Sequence, residues 1–171
     1  VRLLIDGRSG SGKTELATAL ARATGAQLVR LDALYPGWDG LAHGSAAVAD
    51  LLTTGRWRAW DWQRDGPGEW HEIDLSAPII VEGCGALTAR NRALADVGLW
   101  VAFDASARKT RALARDGANY EPHWDRWAAQ EDAFIALERP ESIADAVIDG
   151  ADVTKDLERW RSLFDPARVD E

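Results

Sequence analysis

The chain has 171 residues, 46% hydrophobic and 28% charged, enough for one domain with a real core and little room for a second. A net charge of −8 argues against a general nucleic-acid binder, which needs a basic face to displace counterions. No run approaches the ~18 consecutive apolar residues of a membrane helix, and the lone Cys84 allows no internal disulfide, so the expected setting is a reducing cytoplasm with no membrane partner.

Apolar runs alternate with helical patterns along the chain. Residues 2–6 (RLLID) read as a core strand rather than a signal peptide, and 13–24 as a helix. Residues 27–31 form a second strand, followed by a loop containing Gly and Pro and a helix over 45–54. The stretch 55–77 reads as irregular, polar and rich in Trp; a twisted hairpin is the plainer account of it. Strands at 78–82, 97–103 and 145–149 alternate with a short helix at 88–95 and helices at 105–116 and 122–138. A helix near 153–163 precedes a polar tail. This alternation predicts an α/β fold with a five-stranded parallel sheet and helices on both faces. Ligands then bind at the carboxyl ends of the strands, in the loops after residues 6, 31, 82 and 103.

The first of those loops, GRSGSGKT, fits G-x-x-x-x-G-K-[ST], the phosphate-binding loop of nucleoside triphosphate sites. Gly7, Gly10 and Gly12 let the backbone curl around an anion, and Ser9 and Ser11 complete the cradle. Lys13 is expected to reach the β- and γ-phosphates and Thr14 to offer its hydroxyl to Mg²⁺. In the second loop, Asp32 stands where a carboxylate can take a proton from an attacking hydroxyl, and Tyr35 and Trp38 either wall a substrate or plug the core. In the third, IIVE ends in Glu82, a second candidate for Mg²⁺. In the fourth, Arg108, Arg111 and Arg115 share one helix face and are candidates for phosphate, Arg108 and Arg111 foremost. Trp60 and Arg64, in the stretch 55–77, are candidate acceptor contacts.

These features together resemble the uridine kinase-like branch of P-loop kinases, near the pantothenate, gluconate, shikimate and nucleoside monophosphate kinases. The resemblance rests on the phosphate loop, Asp32-Ala33-Leu34-Tyr35 after the second strand, the Glu82-Gly83 strand end and the Arg-rich helix. It covers most of 1–120. It implies a single three-layer P-loop domain over 1–171, with a substrate-side insertion at about 55–77 and a lid-like region at about 105–123. It also implies ATP and Mg²⁺ as cofactors and Asp32 as base toward the acceptor hydroxyl. The expected activity is transfer of the γ-phosphate to a nucleoside-like or sugar-like small molecule, by a monomer or homodimer. A nucleoside monophosphate acceptor stays open because Arg56, Arg58 and Arg64 offer cations, and so does a nucleotide-binding module without an acceptor. A GTPase is disfavoured, since no Asn-Lys-x-Asp occurs.

Overall fold

A computed structural model describes residues 1–165. In chain order the elements are β1 (Arg2–Gly7), α1 (Lys13–Thr24), β2 (Gln27–Arg30), α2 (Leu41–Thr54), β3 (Arg56–Asp61), β4 (Gly66–Glu72), β5 (Ile79–Glu82), α3 (Ala89–Arg92), β6 (Val97–Ala102), α4 (Ala105–Asp116), α5 (Trp124–Glu138), α6 (Pro140–Ile143), β7 (Ala146–Asp149) and α7 (Leu157–Arg161). Five strands form one parallel sheet in the order β2-β5-β1-β6-β7, and β3 pairs with β4 as a separate antiparallel ribbon.

The parallel strands are short apolar runs because both faces of the sheet are covered. Alternate residues of β1 serve opposite cores. Leu4 joins Val29, Val81, Leu51 and Trp127 under α2 and α5, whereas Leu3 and Ile5 join Leu16, Leu20, Ile80 and Trp160 under α1 and α7. Helices α1 and α2 stop where Gly25 and Gly55 take left-handed conformations and return their N–H groups to Ala21 and Leu51.

Three expectations need correction. Helix α2 starts at Leu41, four residues before the expected 45. Gly44 lies inside it because the Tyr35 ring presses there; a Cβ would come within 2.5 Å of Tyr35 Cδ1. Most of the stretch 55–77 is not irregular but takes the plainer of its two readings, a hairpin: β3 and β4 span 56–72, with a register shift between Arg58 and Trp60 that breaks the alternation of the side chains. The helix near 153–163 is only the five residues of α7, followed by a 3-10 turn. The polar tail lies, from residue 166 on, outside the described residues. No helix among the described residues is long and apolar enough to cross a membrane.

Candidate functional site

Strand β1 is central, and the sheet order reverses on either side of it, so the loop after it opens at the carboxyl edge where ligands collect. Gly10 and Gly12 adopt positive φ of 77° and 102°. A Cβ on Gly10 would lie 2.8 Å from the Arg108 carbonyl carbon and closer still to its oxygen. Among the described residues the Gly10 and Gly12 N–H groups make no hydrogen bond, which leaves donors for an anion at the start of α1. Ser11 N–H closes the turn on the Arg8 carbonyl at 3.1 Å, and the Ser11 hydroxyl is buried without a partner.

Lys13 is buried. Burial works to strip its proton, but the surrounding groups (Cys84, Glu82, Asp32 and Glu131) outweigh this and hold its pKa above the ordinary lysine value. The Thr14 hydroxyl donates to Glu82 Oε1 at 3.0 Å. Burial raises the Glu82 carboxyl above the usual range, with Asp32 adding to the rise and Lys13, Thr14 and Arg30 opposing it. Beside Gly10, Gly12, Lys13 and Thr14 lies a cavity of about 210 Å³, lined also by Arg111 and Arg115.

The three helix arginines differ in what they already hold. Arg108 is buried, donating to the Phe103 carbonyl at 3.2 Å and the Ser9 carbonyl at 3.3 Å. Arg111 donates to the Gly150 carbonyl at 3.1 Å and the Gly10 carbonyl at 3.4 Å, and its guanidinium lies over the Phe103 ring. Both therefore brace the back of the phosphate loop. Arg115 has a half-exposed side chain (53%) and, among the described residues, pairs only with Asp116, at 2.7 Å.

A second cavity, of about 400 Å³, adjoins the first through Arg115. Asp32, Ser9, Asp116 and Asn119 give it polar edges, and Tyr35, Trp38, Trp62, Tyr120 and Trp127 form its aromatic wall. Asp32 sits in a 3-10 turn and is exposed. The buried Tyr35 hydroxyl donates to the Cys84 carbonyl at 2.7 Å, and its ring meets Trp127 edge-on. Tyr35 thus both plugs the core and lines the cavity. Trp38 stacks on Tyr120 and on His123, with centroids 5.2 and 4.4 Å apart. The hairpin reaches the cavity through Trp62, which is 40% exposed and whose indole N–H donates to the Asp32 carbonyl at 2.9 Å.

Two expected contacts fall elsewhere. Trp60 does not line the cavity; it is held in β3, paired opposite Pro67 of β4. Arg64 points to solvent and is tied to Asp61 at 2.7 Å. Lys13, Thr14, Glu82, Asp32, Tyr35 and Trp38 come together at one edge.

Two buried carboxylates escaped the sequence reading. Asp6 accepts N–H bonds from Gly7 (2.6 Å), Leu87 (2.8 Å) and Gly85 (3.1 Å), pinning the end of β1 to the loop after β5. Burial pushes its carboxyl up to about 7, against those three donors and Lys13. Glu131, on α5, accepts from Ser9 N–H and Arg8 Nε, both at 2.8 Å. Its signal was present: Trp124, Trp127 and Glu131 recur at i, i+3 and i+7, so an acid occupies the buried stripe of a helix.

No family model matches the chain, and no curated protein matches it in sequence. Solved structures do match in fold. A possible uridine kinase from Bacillus stearothermophilus is 19% identical, with a TM-score of 0.58 over 86% of this chain and 87% of that one. A sugar kinase from Janibacter sp. HTCC2649 is 18% identical, with a TM-score of 0.62 over 97% and 96%. A shikimate kinase from Acinetobacter baumannii, solved with shikimate, is 15% identical, with a TM-score of 0.56 over 99% and 95%. The chain has the fold of the P-loop kinases.

Proposed function

We propose that the protein is an ATP-dependent phosphotransferase that passes the γ-phosphate to a hydroxyl of a small, nucleoside-like or sugar-like molecule. The observation that carries this reading is the adjacency of two cavities that share one arginine. The first has the free N–H groups and buried lysine of a triphosphate site; the second has an aromatic wall and an exposed carboxylate. A module that only bound nucleotide would have no use for the second.

In this reading Gly7, Ser9, Gly10, Ser11 and Gly12 shape the phosphate cradle and Lys13 neutralises the β/γ oxygens. Thr14 and Glu82 would hold Mg²⁺. Their facing oxygens, 3.0 Å apart, suit a hard cation that takes one or two protein ligands and completes its shell with phosphate and water. When bound, Mg²⁺ supplies charge neutralisation on the transferring phosphate. Asp32 orients the acceptor hydroxyl and accepts its proton. Arg115, the one helix arginine not committed to loop carbonyls, turns from Asp116 toward the phosphate in transit, while Arg108 and Arg111 keep the loop in shape.

The test is ATP consumption by the purified protein against a panel of nucleosides, nucleoside monophosphates, sugars and related alcohols. Asp32→Asn should leave ATP binding nearly intact and lower acceptor-dependent turnover by about 10²-fold, the usual scale for a lost general base. Equal turnover in the variant would remove Asp32 from that role. Tight ATP binding with no acceptor-dependent turnover across the panel would count against the transferase reading as a whole.

A further inference from the structure

The charges around the aromatic cavity restrict what can enter it. Its wall carries two carboxylates, Asp32 and Asp116, and one cation, Arg115, already spent on Asp116 at 2.7 Å. The basic residues of the hairpin, which an acceptor phosphate would need, are committed elsewhere. Arg56 pairs with Glu72 at 3.3 Å and lies over the Trp70 ring. Arg58 Nε donates to the Gly68 carbonyl at 3.0 Å, and Arg64 is held by Asp61. None of the three lines the cavity, and Arg126, on the neighbouring helix, pairs with Asp39. An acceptor bearing a phosphate or carboxylate would therefore bring its charge to two acids, and among the described lining residues the one cation to meet it is Arg115, which already faces Asp116. If Arg115 moves to the donor phosphates during transfer, Asp116 is left uncovered and the wall becomes more negative.

The aromatic side of the wall pulls the same way. Trp62 keeps exposed ring surface at the cavity mouth, and Trp38, Tyr120 and Trp127 continue the wall behind it. Aromatic faces favour apolar ring surface and cations over anions.

We propose that this cavity selects a ring-bearing hydroxyl acceptor that carries no phosphate or carboxylate, and prefers an amine-bearing member of a series to its neutral counterpart. The proposal rests on the phosphotransferase reading for the word acceptor, but its charge rule concerns binding and stands or falls separately. It separates this chain from a handler of acids such as the shikimate kinase whose fold it shares.

The experiment is calorimetric titration of the full chain, with and without Mg²⁺ and a non-hydrolysable ATP analogue. The probes are matched triples on two skeletons: glucosamine, glucose and glucuronate, and 2-aminocyclohexanol, cyclohexane-1,2-diol and 2-hydroxycyclohexanecarboxylate. Uridine against uridine monophosphate is a third pair. The expected order is amine, then neutral, then acid, with the acid at least about tenfold weaker than the amine. Asp116→Asn should narrow that gap, and ATP-analogue affinity reports whether the variant is folded. An acid that binds as tightly as its amine overturns the proposal, and so does binding by no probe. Transfer from ATP is measured in parallel. Phosphorylation of glucuronate or uridine monophosphate alone would uphold the phosphotransferase reading and sink the charge rule. The expected binding order with no transfer would do the reverse.

Discussion

Glu131→Gln is the sharpest probe of how the phosphate loop is held. The carboxylate is 3% exposed and makes two charge-assisted bonds, to the Ser9 N–H and to Arg8 Nε. Hydrogen bonds to charged groups contribute about 1.5–3 kcal/mol each. Glutamine keeps one carbonyl oxygen, so it can serve one of the two donors and must turn its amide N–H₂ toward the other. Arg8 retains Asp132 at 2.7 Å, which moderates the loss. The expected destabilisation is about 2–4 kcal/mol, below the ~3–5 kcal/mol seen when a buried pair loses one partner outright. At roughly 3 °C per kcal/mol for a chain of this size, the melting midpoint should fall by about 6–12 °C. Asp132→Asn is the control: it removes an exposed partner of the same arginine and should cost less than about 1 kcal/mol. The assay is thermal unfolding followed by Trp fluorescence, with urea titration as a second measure. A midpoint within about 2 °C of the parent would refute the idea that α5 clamps the loop.

Other perturbations follow from the same geometry. Arg115→Lys should keep ATP affinity within a few-fold but lower acceptor-dependent turnover by about tenfold or more, because a lysine cannot make the fork-shaped contact with phosphate; single-turnover kinetics would show it, and an unchanged rate would exclude Arg115 from the transfer step. Gly10→Ala forces a Cβ onto the Arg108 carbonyl at a positive φ, so nucleotide binding should be largely lost, as read by titration with an ATP analogue. Asp6 makes a pH prediction. Its carboxyl rises from 3.8 to about 7 on folding, so between those values the native state holds a proton that the unfolded chain has released. Stability from this group is therefore full below about 4 and declines as pH rises through about 7. Urea midpoints measured from pH 4 to 8 should show that slope, and Asp6→Asn should flatten it.

The legible parts of the sequence were those where one local rule acted alone. All five sheet strands stand within a residue of their expected limits, because a parallel strand covered on both faces is a plain apolar run with little to confuse it. The start of α2 was hidden by Gly44, whose reason for being there is the Tyr35 ring, a contact between residues nine apart. The hairpin was legible only as the plainer alternative, its strands blurred by the bulge between Arg58 and Trp60 and by Gly66-Pro67-Gly68 opening β4, which reads locally as a turn. Trp62 rather than Trp60 reaches the cavity because Trp60 is still paired in β3 whereas Trp62 stands just past its end, in the turn. Asp6 and Glu131 were passed over because acids at a strand end and in a charged helix are commonplace; only the fold shows that backbone N–H groups close on them.

The bracing of the phosphate loop has a consequence for how the chain is made. The loop at residues 7–14 is synthesised before the groups that shape it: Arg108 and Arg111 from α4, Glu131 from α5, and the Gly150 carbonyl just past β7. A nascent chain on the ribosome would carry the complete signature motif long before it could grip a triphosphate. A fragment that ends before residue 150 lacks the carbonyl that holds Arg111, so it should bind a triphosphate more weakly than the full chain.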